Sequence, residues 1–293
     1  MKPAIQGQII AAFGRHYLAE LADGSLLECT PRGKKSEVAC GDFVELQRAG
    51  DQASIESILP RKTLLYRSVA HREKLIAANV TQIVVVVAAE PSFNDELLAR
   101  CLVAAYDQQL ETLIVLNKCD LAAQTVAARA QLAPYRTIGY RVLELSAKEN
   151  IAPLLPYLQG HTSVLVGQSG MGKSTMINSL LPDALAATRE ISTALDSGKH
   201  TTTHARLYHL NANSHLIDCP GVQAFGLHHL SFGAIEEGFV EFAQYLGQCR
   251  FNDCRHAHEP GCALRNGVEV GKIDARRLQL FQDIASGKHK PSF

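Results

Sequence analysis

A glycine-rich segment of the chain has the residue types and spacing of a phosphate-binding loop. It reads Gly167-Gln-Ser-Gly-Met-Gly-Lys-Ser174, with the apolar stretch Ser163–Val166 before it and a helical pattern after it. Glycines let backbone N–H groups curl around phosphate oxygens, and the N-terminus of the following helix adds a favourable dipole. In such a loop Lys173 reaches the β- and γ-phosphates and Ser174 binds Mg²⁺. The segment therefore predicts a nucleoside triphosphate site.

Two further motifs indicate which base this site accepts. Asn117-Lys-Cys-Asp120 directly follows the predicted strand Leu113–Leu116. A carboxylate here can accept hydrogen bonds from guanine N1–H and from its exocyclic amine, whereas adenine has neither donor and would leave the carboxylate unpaired. Ser146-Ala-Lys148, again just after a predicted strand, can contact guanine O6 through its backbone. The motifs together predict guanine rather than adenine nucleotides.

Two segments have residues that could contact the γ-phosphate and Mg²⁺. Asp218-Cys-Pro-Gly221 offers a carboxylate near the metal and a backbone N–H toward the γ-phosphate. Gly198-Lys-His-Thr-Thr-Thr203 lies between the phosphate-loop helix and the next predicted strand, where a switch threonine belongs. The predicted GTP-binding residues are Asn117, Lys118, Cys119, Asp120, Ser146, Ala147, Gly167, Gln168, Ser169, Gly170, Met171, Gly172, Lys173, Ser174, Thr175, Asp218 and Gly221. The predicted magnesium ligands are Ser174 and Thr202, and the predicted catalytic residues are His200, Lys173 and Thr202.

The group that positions the attacking water is the least obvious part of this site. Ras-like domains have a glutamine immediately after the glycine of Asp-x-x-Gly, but this chain has Val222 there, and an apolar side chain cannot hold a water. Gln223 comes one residue too late. His200, just before the switch threonines, is the internal candidate, and the alternative is a loop histidine without a role. Hydrolysis by the isolated protein is therefore expected to be slow.

The motifs occur in an unusual order along the chain. A Ras-like domain runs from the phosphate loop through the switch threonine and Asp-x-x-Gly to Asn-Lys-x-Asp and Ser-Ala-Lys, whereas here the last two come first. Circular permutation is tolerated where chain ends lie close together and the opened site is a surface loop. The order therefore predicts a permuted G domain that ends near residue 225 and runs directly into a C-terminal segment.

That C-terminal segment contains a cluster of metal-binding residue types. Three of the eight cysteines, Cys249, Cys254 and Cys262, lie within fourteen residues together with His256 and His258. Three thiolates and one imidazole are a recurrent ligand set for structural zinc, and such a cluster in a reducing compartment indicates metal more than disulfide. The residues alone do not decide which histidine is the ligand.

Three domains are needed to carry these motifs. Residues 1–67 show about five short alternating strands, which favours an OB-fold barrel, with a β-rich cap without binding activity as the alternative. Residues 68–227 alternate strands and helices, the pattern of an α/β domain with a mainly parallel sheet. Residues 228–293 predict a helical domain, with one helix whose apolar face runs from Ile235 to Leu246 and another from Leu278 to Ile284.

Composition and charge limit the possible partners. The longest apolar run, Ile83–Ala89, is far shorter than the roughly 20 residues that span a bilayer, and no signal peptide is evident. We therefore expect a cytoplasmic protein without a membrane partner. The formal net charge is zero, so any RNA contact must come from local basic groups. These are Arg32, Lys34 and Lys35 in a barrel loop and Arg276, Arg277, Lys288, His289 and Lys290 near the C-terminus.

The permuted order, the His-Thr-Thr-Thr segment, the Asp-x-Pro-Gly element and the Cys-x4-Cys-x-His-x5-Cys cluster together resemble the RsgA (YjeQ) family of GTPases that depend on the small ribosomal subunit. The resemblance covers nearly the whole chain and implies an OB-fold, a circularly permuted P-loop GTPase domain and a C-terminal helical zinc-binding domain. It implies one structural Zn²⁺ held by Cys249, Cys254, His256 and Cys262, with His258 a bystander, and Mg²⁺ bound with GTP.

The same resemblance implies a role in late maturation of the small (30S) ribosomal subunit, with contacts to its rRNA and with GTP hydrolysis that the particle stimulates. It also supports a catalytic histidine at His200; otherwise the particle would supply the catalytic group. We expect a monomer. One alternative is a nucleotide-gated RNA-binding module with little hydrolysis, against which the intact Lys173, Ser174, Thr202 and Asp218 argue. The other is an ATP-using P-loop enzyme, against which Asn-Lys-x-Asp argues.

Overall fold

The protein combines a small barrel, a mainly parallel sheet and a helical C-terminal region. A computed structural model describes residues 5–32, 37–69, 72–182, 205–219 and 226–287, and within these ranges the chain forms thirteen strands and seven α-helices. In the same ranges no helix is both long and apolar enough to cross a membrane.

The first five strands close into a barrel. They are β1 (Ile5–Phe13), β2 (His16–Leu21), β3 (Leu26–Pro31), β4 (Phe43–Ala49) and β5 (Gln52–Ile58). Their order is β1-β2-β3-β5-β4, and β4 pairs back onto β1 to complete the closure. Alternate residues such as Ile9, Val44 and Leu46 fill the interior. The predicted OB-fold barrel is confirmed.

Six further strands carry the predicted nucleotide motifs, and the edge strand of the six pairs antiparallel with β1, so that they and the barrel strands form one continuous sheet. The six strands are β8 (Gln82–Ala88), β9 (Glu111–Asn117), β10 (Arg141–Glu144), β11 (Thr162–Val166), β12 (Arg206–Asn211) and β13 (Ser214–Asp218). The order is β10-β9-β8-β11-β13-β12, and only β12 runs antiparallel to its neighbour. Every residue of β8 is buried, as expected for the centre of a parallel sheet covered on both faces. The predicted α/β architecture is confirmed.

Four helices connect the parallel strands: α1 (Asp95–Asp107), α2 (Ala122–Thr137), the short α3 (Leu155–Leu158) and α4 (Lys173–Leu180). Because the strands are parallel, the loops that follow β8, β9, β10, β11 and β13 all emerge at one edge of the sheet. This edge is where the sequence motifs for base and phosphate recognition lie.

A hairpin lies between the barrel and the parallel sheet. It consists of β6 (Leu64–Val69) and β7 (Arg72–Ala78), and it contacts both neighbours: Leu64 N–H donates to Gln108 Oε1 at 3.0 Å, and Ala78 N–H donates to Cys40 O at 2.8 Å. The predicted limit after residue 67 falls inside this hairpin. The domain limits therefore stay predictions.

The C-terminal region is helical, as predicted, but one expected helix is wrong. Its elements are α5 (Phe232–Glu237), a 3₁₀ helix (Val240–Tyr245), α6 (Ala263–Glu269) and α7 (Ala275–Ser286). The expected helix from Ile235 to Leu246 is interrupted at Gly238, where a Cβ atom would lie 2.9 Å from a Val103 methyl of α1. Glycine at this position therefore lets the end of α5 pack closely against α1.

The interruption has a packing consequence in the C-terminal core. The backbone of Phe239 leaves the helical conformation (φ −90°, ψ 80°), and its ring stacks on Phe242 with 5.2 Å between the centroids. Both rings meet Phe281 of α7 edge-on, and all three are fully buried in the cluster that includes Leu98 and Leu102 of α1. The C-terminal helices thus share one hydrophobic core with the parallel sheet domain.

Candidate functional site

The phosphate loop lies between β11 and α4 and passes very close to its neighbours. At Gly167 (φ +146°) a Cβ atom would stand 2.2 Å from Val86 O, and at Gly172 (φ +93°) it would stand 2.2 Å from Asn117 Nδ2. A side chain at Gly167 would collide with β8, and one at Gly172 would collide with the last residue of β9. Glycine is therefore required at both positions, and the loop backbone lies directly over the end of the sheet.

Lys173, in this loop, and Asp218, at the end of β13, are two charged groups that act on each other. Lys173 Nζ donates to Gly167 O at 2.5 Å and to Gln168 O at 2.7 Å. Burial lowers the pKa of Lys173, and the nearby Asp218 carboxylate opposes this shift. Burial likewise raises the pKa of Asp218, and Lys173 opposes that shift in turn. The two motifs that were predicted to contact phosphate and Mg²⁺ thus lie within electrostatic reach of each other.

Asn117 joins the base-recognition motifs to the phosphate loop. Its buried amide donates through Nδ2 to Met171 O at 2.9 Å, and its Oδ1 accepts from Ala147 N–H at 2.9 Å. One side chain thereby fixes the phosphate loop relative to the loop after β10. This explains in physical terms why an asparagine opens the Asn-Lys-x-Asp motif.

The remaining base-recognition residues surround an open edge. Asp120 is exposed, and Lys118, in the left-handed region at φ +62°, donates from Nζ to Glu90 O at 2.7 Å. Cys119 N–H donates to Leu145 O at 3.2 Å and so links the two base-recognition loops. Ser146 Oγ is buried and has no hydrogen-bond partner in the described part of the chain. A buried hydroxyl is normally paired, so this group is available to a ligand or a neighbouring side chain.

The other predicted site residues divide into placed and unplaced groups. Ser169, Gly170, Ser174 and Thr175 are exposed on the phosphate loop and the first turn of α4. Gln168 Oε1 accepts from Asn94 N–H at 2.8 Å. The predicted switch and catalytic residues His200, Thr202 and Gly221 lie outside the described residues, so their roles stay predictions.

The cysteine cluster forms a compact set of four ligand atoms. The side-chain donors of Cys249, Cys254, His256 and Cys262 all lie within 4.8 Å of one another, and His258 is not part of this group. His256 Nδ1 is 3.6 Å from Cys249 Sγ and 3.3 Å from Cys262 Sγ. Ligands around tetrahedral zinc with Zn–S bonds of ~2.3 Å are ~3.8 Å apart. The donor set and its spacing therefore fit one structural zinc ion.

Two acidic residues that the sequence patterns did not indicate support this cluster. Glu236 Oε1 lies 2.5 Å from His256 Nε2, so the imidazole proton is held there and the Nδ1 lone pair faces the thiols. The Glu259 carboxylate accepts from the backbone N–H groups of Arg255, Ala257 and His258. These hydrogen bonds lower the pKa of Glu259 to about 2, and the bond from Arg255 contributes most. Nothing in the spacing of the sequence distinguished either residue.

Two thiols of the cluster, those of Cys254 and Cys262, are held in the uncharged form by their surroundings. Burial raises the pKa of Cys254 to about 12 and also raises that of Cys262. Uncharged thiols are poor metal ligands, and a bound divalent cation deprotonates them. Metal binding at this cluster is therefore expected to release protons.

The expectation that Arg277 is available for a nucleic-acid contact is wrong. Arg277 is almost completely buried: its Nε donates to Glu241 Oε1 at 2.6 Å, and its guanidinium lies over the rings of Phe239 and Tyr135. Its neighbour Arg276 pairs with Asp95. These arginines attach α7 to the sheet domain because carboxylates and aromatic rings face them there. Of the other predicted basic residues, Arg32 is exposed and pairs with Glu56. Lys34, Lys35, Lys288, His289 and Lys290 lie outside the described residues.

Comparisons with known proteins agree with this geometry. Residues 58–228 match the model of the RsgA GTPase family. A protein of Nitrosospira multiformis named small ribosomal subunit biogenesis GTPase RsgA is 57% identical over 283 residues, which are 96% of this chain and 90% of that protein. A protein of the same name from Nitrosomonas europaea is 52% identical over 98% of this chain and 93% of its own length.

Solved structures show the same architecture. The crystal structure of YjeQ from Thermotoga maritima superposes with a TM-score of 0.75 at 27% identity, covering 97% of this chain and 98% of that chain. The structure of YloQ, described as a circularly permuted GTPase, has a TM-score of 0.71 at 26% identity and covers 100% of this chain and 98% of its own.

Proposed function

The chain belongs to the RsgA GTPase family, and from this premise we propose that it hydrolyses GTP as an assembly factor of the small ribosomal subunit. The observation that carries the proposal is the arrangement around Asn117, whose one side chain joins the phosphate loop to the base-recognition loop. Relatives that are 57% and 52% identical over nearly their whole length bear that function in their names.

Each motif has a proposed role in binding GTP. Asp120 accepts the hydrogen bonds of the guanine edge, and the backbone N–H groups of the phosphate loop surround the phosphates. Lys173, which donates to loop carbonyls at 2.5 and 2.7 Å, would turn its ammonium group to the β- and γ-phosphates. Mg²⁺, held by Ser174 and Thr202 with Asp218 close by, would neutralise the charge that develops on the transferred phosphoryl group.

The C-terminal cluster is proposed to hold zinc for structural reasons. Cys249, Cys254, His256 and Cys262 would occupy all four positions of a tetrahedral ion, which leaves none for substrate. We therefore assign the chemistry to the nucleotide site alone. The particle and its rRNA are the proposed partners, the protein would act as a monomer, and the cytoplasm is its proposed location.

Phosphate release measures the proposed function directly. The protein is expected to hydrolyse GTP slowly alone, faster with purified small ribosomal subunits, and to leave ATP unhydrolysed in both conditions. Large ribosomal subunits provide the control for non-specific effects of RNA. Equal hydrolysis of ATP would contradict the assignment of the base site, and GTP hydrolysis that small subunits do not stimulate would contradict the partner.

His200→Ala tests the source of the catalytic group. Val222 stands where Ras-like domains have a water-positioning glutamine, so another group must orient the nucleophile. The variant should bind GTP and the particle normally, yet lose at least about tenfold of the stimulated rate, a modest effect for a group that positions water. Steady-state rates at saturating GTP and saturating subunits decide the matter. An undiminished rate would mean that the particle supplies the group.

A further inference from the structure

A chain of side-chain contacts runs from the phosphate loop to the first turn of α1. Gln168, the second residue of the loop, accepts from Asn94 N–H at 2.8 Å. Asn94 caps the helix, because its Oδ1 accepts from Glu96 N–H at 2.8 Å and from Leu97 N–H at 3.2 Å. The position of the phosphate loop and the start of α1 are therefore linked by a side chain.

The first residue of α1 continues this chain of contacts into the C-terminal region. Asp95 Oδ1 accepts from the Tyr135 hydroxyl of α2 at 2.7 Å. Asp95 Oδ2 lies 2.9 Å from Arg276 Nε of α7 in an ion pair without hydrogen-bond geometry. Arg276 also donates through Nη2 to Gln131 O of α2 at 2.7 Å. A single carboxylate thus joins three helices at the turn that Gln168 holds.

In the C-terminal region this series of side-chain contacts ends at the metal cluster. Arg277, next to Arg276, is buried between Glu241 and the Tyr135 ring. One and a half turns further along α7, Gln282 Nε2 donates to His256 O. The first turn of helix α7 therefore contacts Asp95, and a residue beyond the middle of the helix contacts His256. A shift of α7 would change both contacts.

We propose that Asp95 is a positioning residue that couples the phosphate loop to the C-terminal helical region. This proposal rests on the proposed function, since it requires guanine nucleotide at the phosphate loop. A nucleotide that orders Gln168 and Asn94 favours the arrangement of Asp95 in which Arg276 and Tyr135 are bound. Because coupling between two sites acts in both directions, weakening the contact of α7 with Asp95 is expected to weaken nucleotide binding.

Arg276→Ala tests this coupling without touching the nucleotide site. The variant is expected to release a fluorescent GDP analogue about fivefold faster. This factor lies at the low end of measured couplings between two sites and at the upper end of what a half-exposed ion pair contributes. Arg136→Ala is the matched control. The Arg136 side chain is 42% exposed, against 41% for Arg276, and it also pairs with a carboxylate. Its partner Glu144 additionally pairs with Arg129, so the substitution leaves that carboxylate with an arginine. Its release rate should stay within about twofold of the intact protein.

A double-mutant cycle separates coupling from a general loss of stability. Gln168→Ala and Arg276→Ala should be non-additive, because either one interrupts the same chain of contacts. Tyr135→Phe removes only the hydroxyl bond to Asp95 and keeps the buried ring, so it should fold and give a smaller increase in release rate. Arg276→Lys keeps the charge beside Asp95 and should restore part of the effect.

The outcomes distinguish this proposal from the proposed function. If the intact protein does not bind guanine nucleotide, the proposed function fails. If it binds, but Arg276→Ala and Tyr135→Phe release GDP at the intact rate, the coupling is wrong and Asp95 only packs the helices. Additive effects in the cycle would overturn the coupling in the same way.

Discussion

Replacing Asp120 with asparagine should move the base preference of the protein from guanine to xanthine. Guanine presents two donors, N1–H and the exocyclic amine, to a carboxylate that only accepts. An asparagine amide has one acceptor and one donor group, which match the N1–H donor and the C2 carbonyl acceptor of xanthine. A site that loses such hydrogen bonds discriminates by roughly 10⁴. GTP affinity should fall by about that factor while XTP affinity rises.

Binding of fluorescent GDP and XDP to the intact protein and the variant measures this change. Asp120 is exposed at the end of a turn, so the substitution should leave the fold unchanged. Asp51→Asn, an equally exposed aspartate in a turn of the barrel, is the matched control and should bind GDP normally. Unaltered guanine preference in Asp120→Asn would show that another residue reads the base.

The sheet and its nucleotide motifs could be predicted because their physical signals are local. β8 contains a continuous apolar run from Ile83 to Ala88, the pattern of a strand buried on both faces. Gly167 and Gly172 stand where the backbone must pass within contact of Val86 and Asn117. Parallel strands then bring the ends of β9, β10, β11 and β13 to one edge, whatever their order in the chain. The permuted order therefore did not obscure the site.

The contacts that the sequence did not predict join residues that are far apart along the chain. Glu236 faces His256 only because α5 packs beside the metal loop. Arg277 looks like a surface residue in a basic run, but the carboxylate of Glu241 and two aromatic rings make its burial possible. The need for glycine at position 238 depends on a methyl group of Val103. Such features are tertiary, and no periodicity or spacing encodes them.

Loss of zinc is the second change for which we expect a large effect. The two neighbouring histidines, His256 and His258, test which of them is a zinc ligand. His256→Ala should lose the metal, because Nδ1 of His256 faces two thiols and Glu236 holds the ring in that tautomer. His258→Ala should keep one zinc per chain, since that histidine is exposed and outside the cluster. Structural zinc sites contribute apparent binding free energies of ~10–16 kcal/mol, far more than the stability of a small helical region.

Metal content and hydrogen exchange of the two variants provide the measurement. In His256→Ala the backbone of residues 249–262 should lose its protection, as should the part of α7 that contacts His256 O through Gln282. Glu236→Gln keeps all four ligands and should weaken zinc binding by about 10- to 100-fold without this loss at saturating zinc. Because Phe239, Phe242 and Phe281 share a core with α1, GDP should still bind, weakened no further than by Arg276→Ala. Zinc retained in His256→Ala but lost in His258→Ala would reverse the assignment of the ligand.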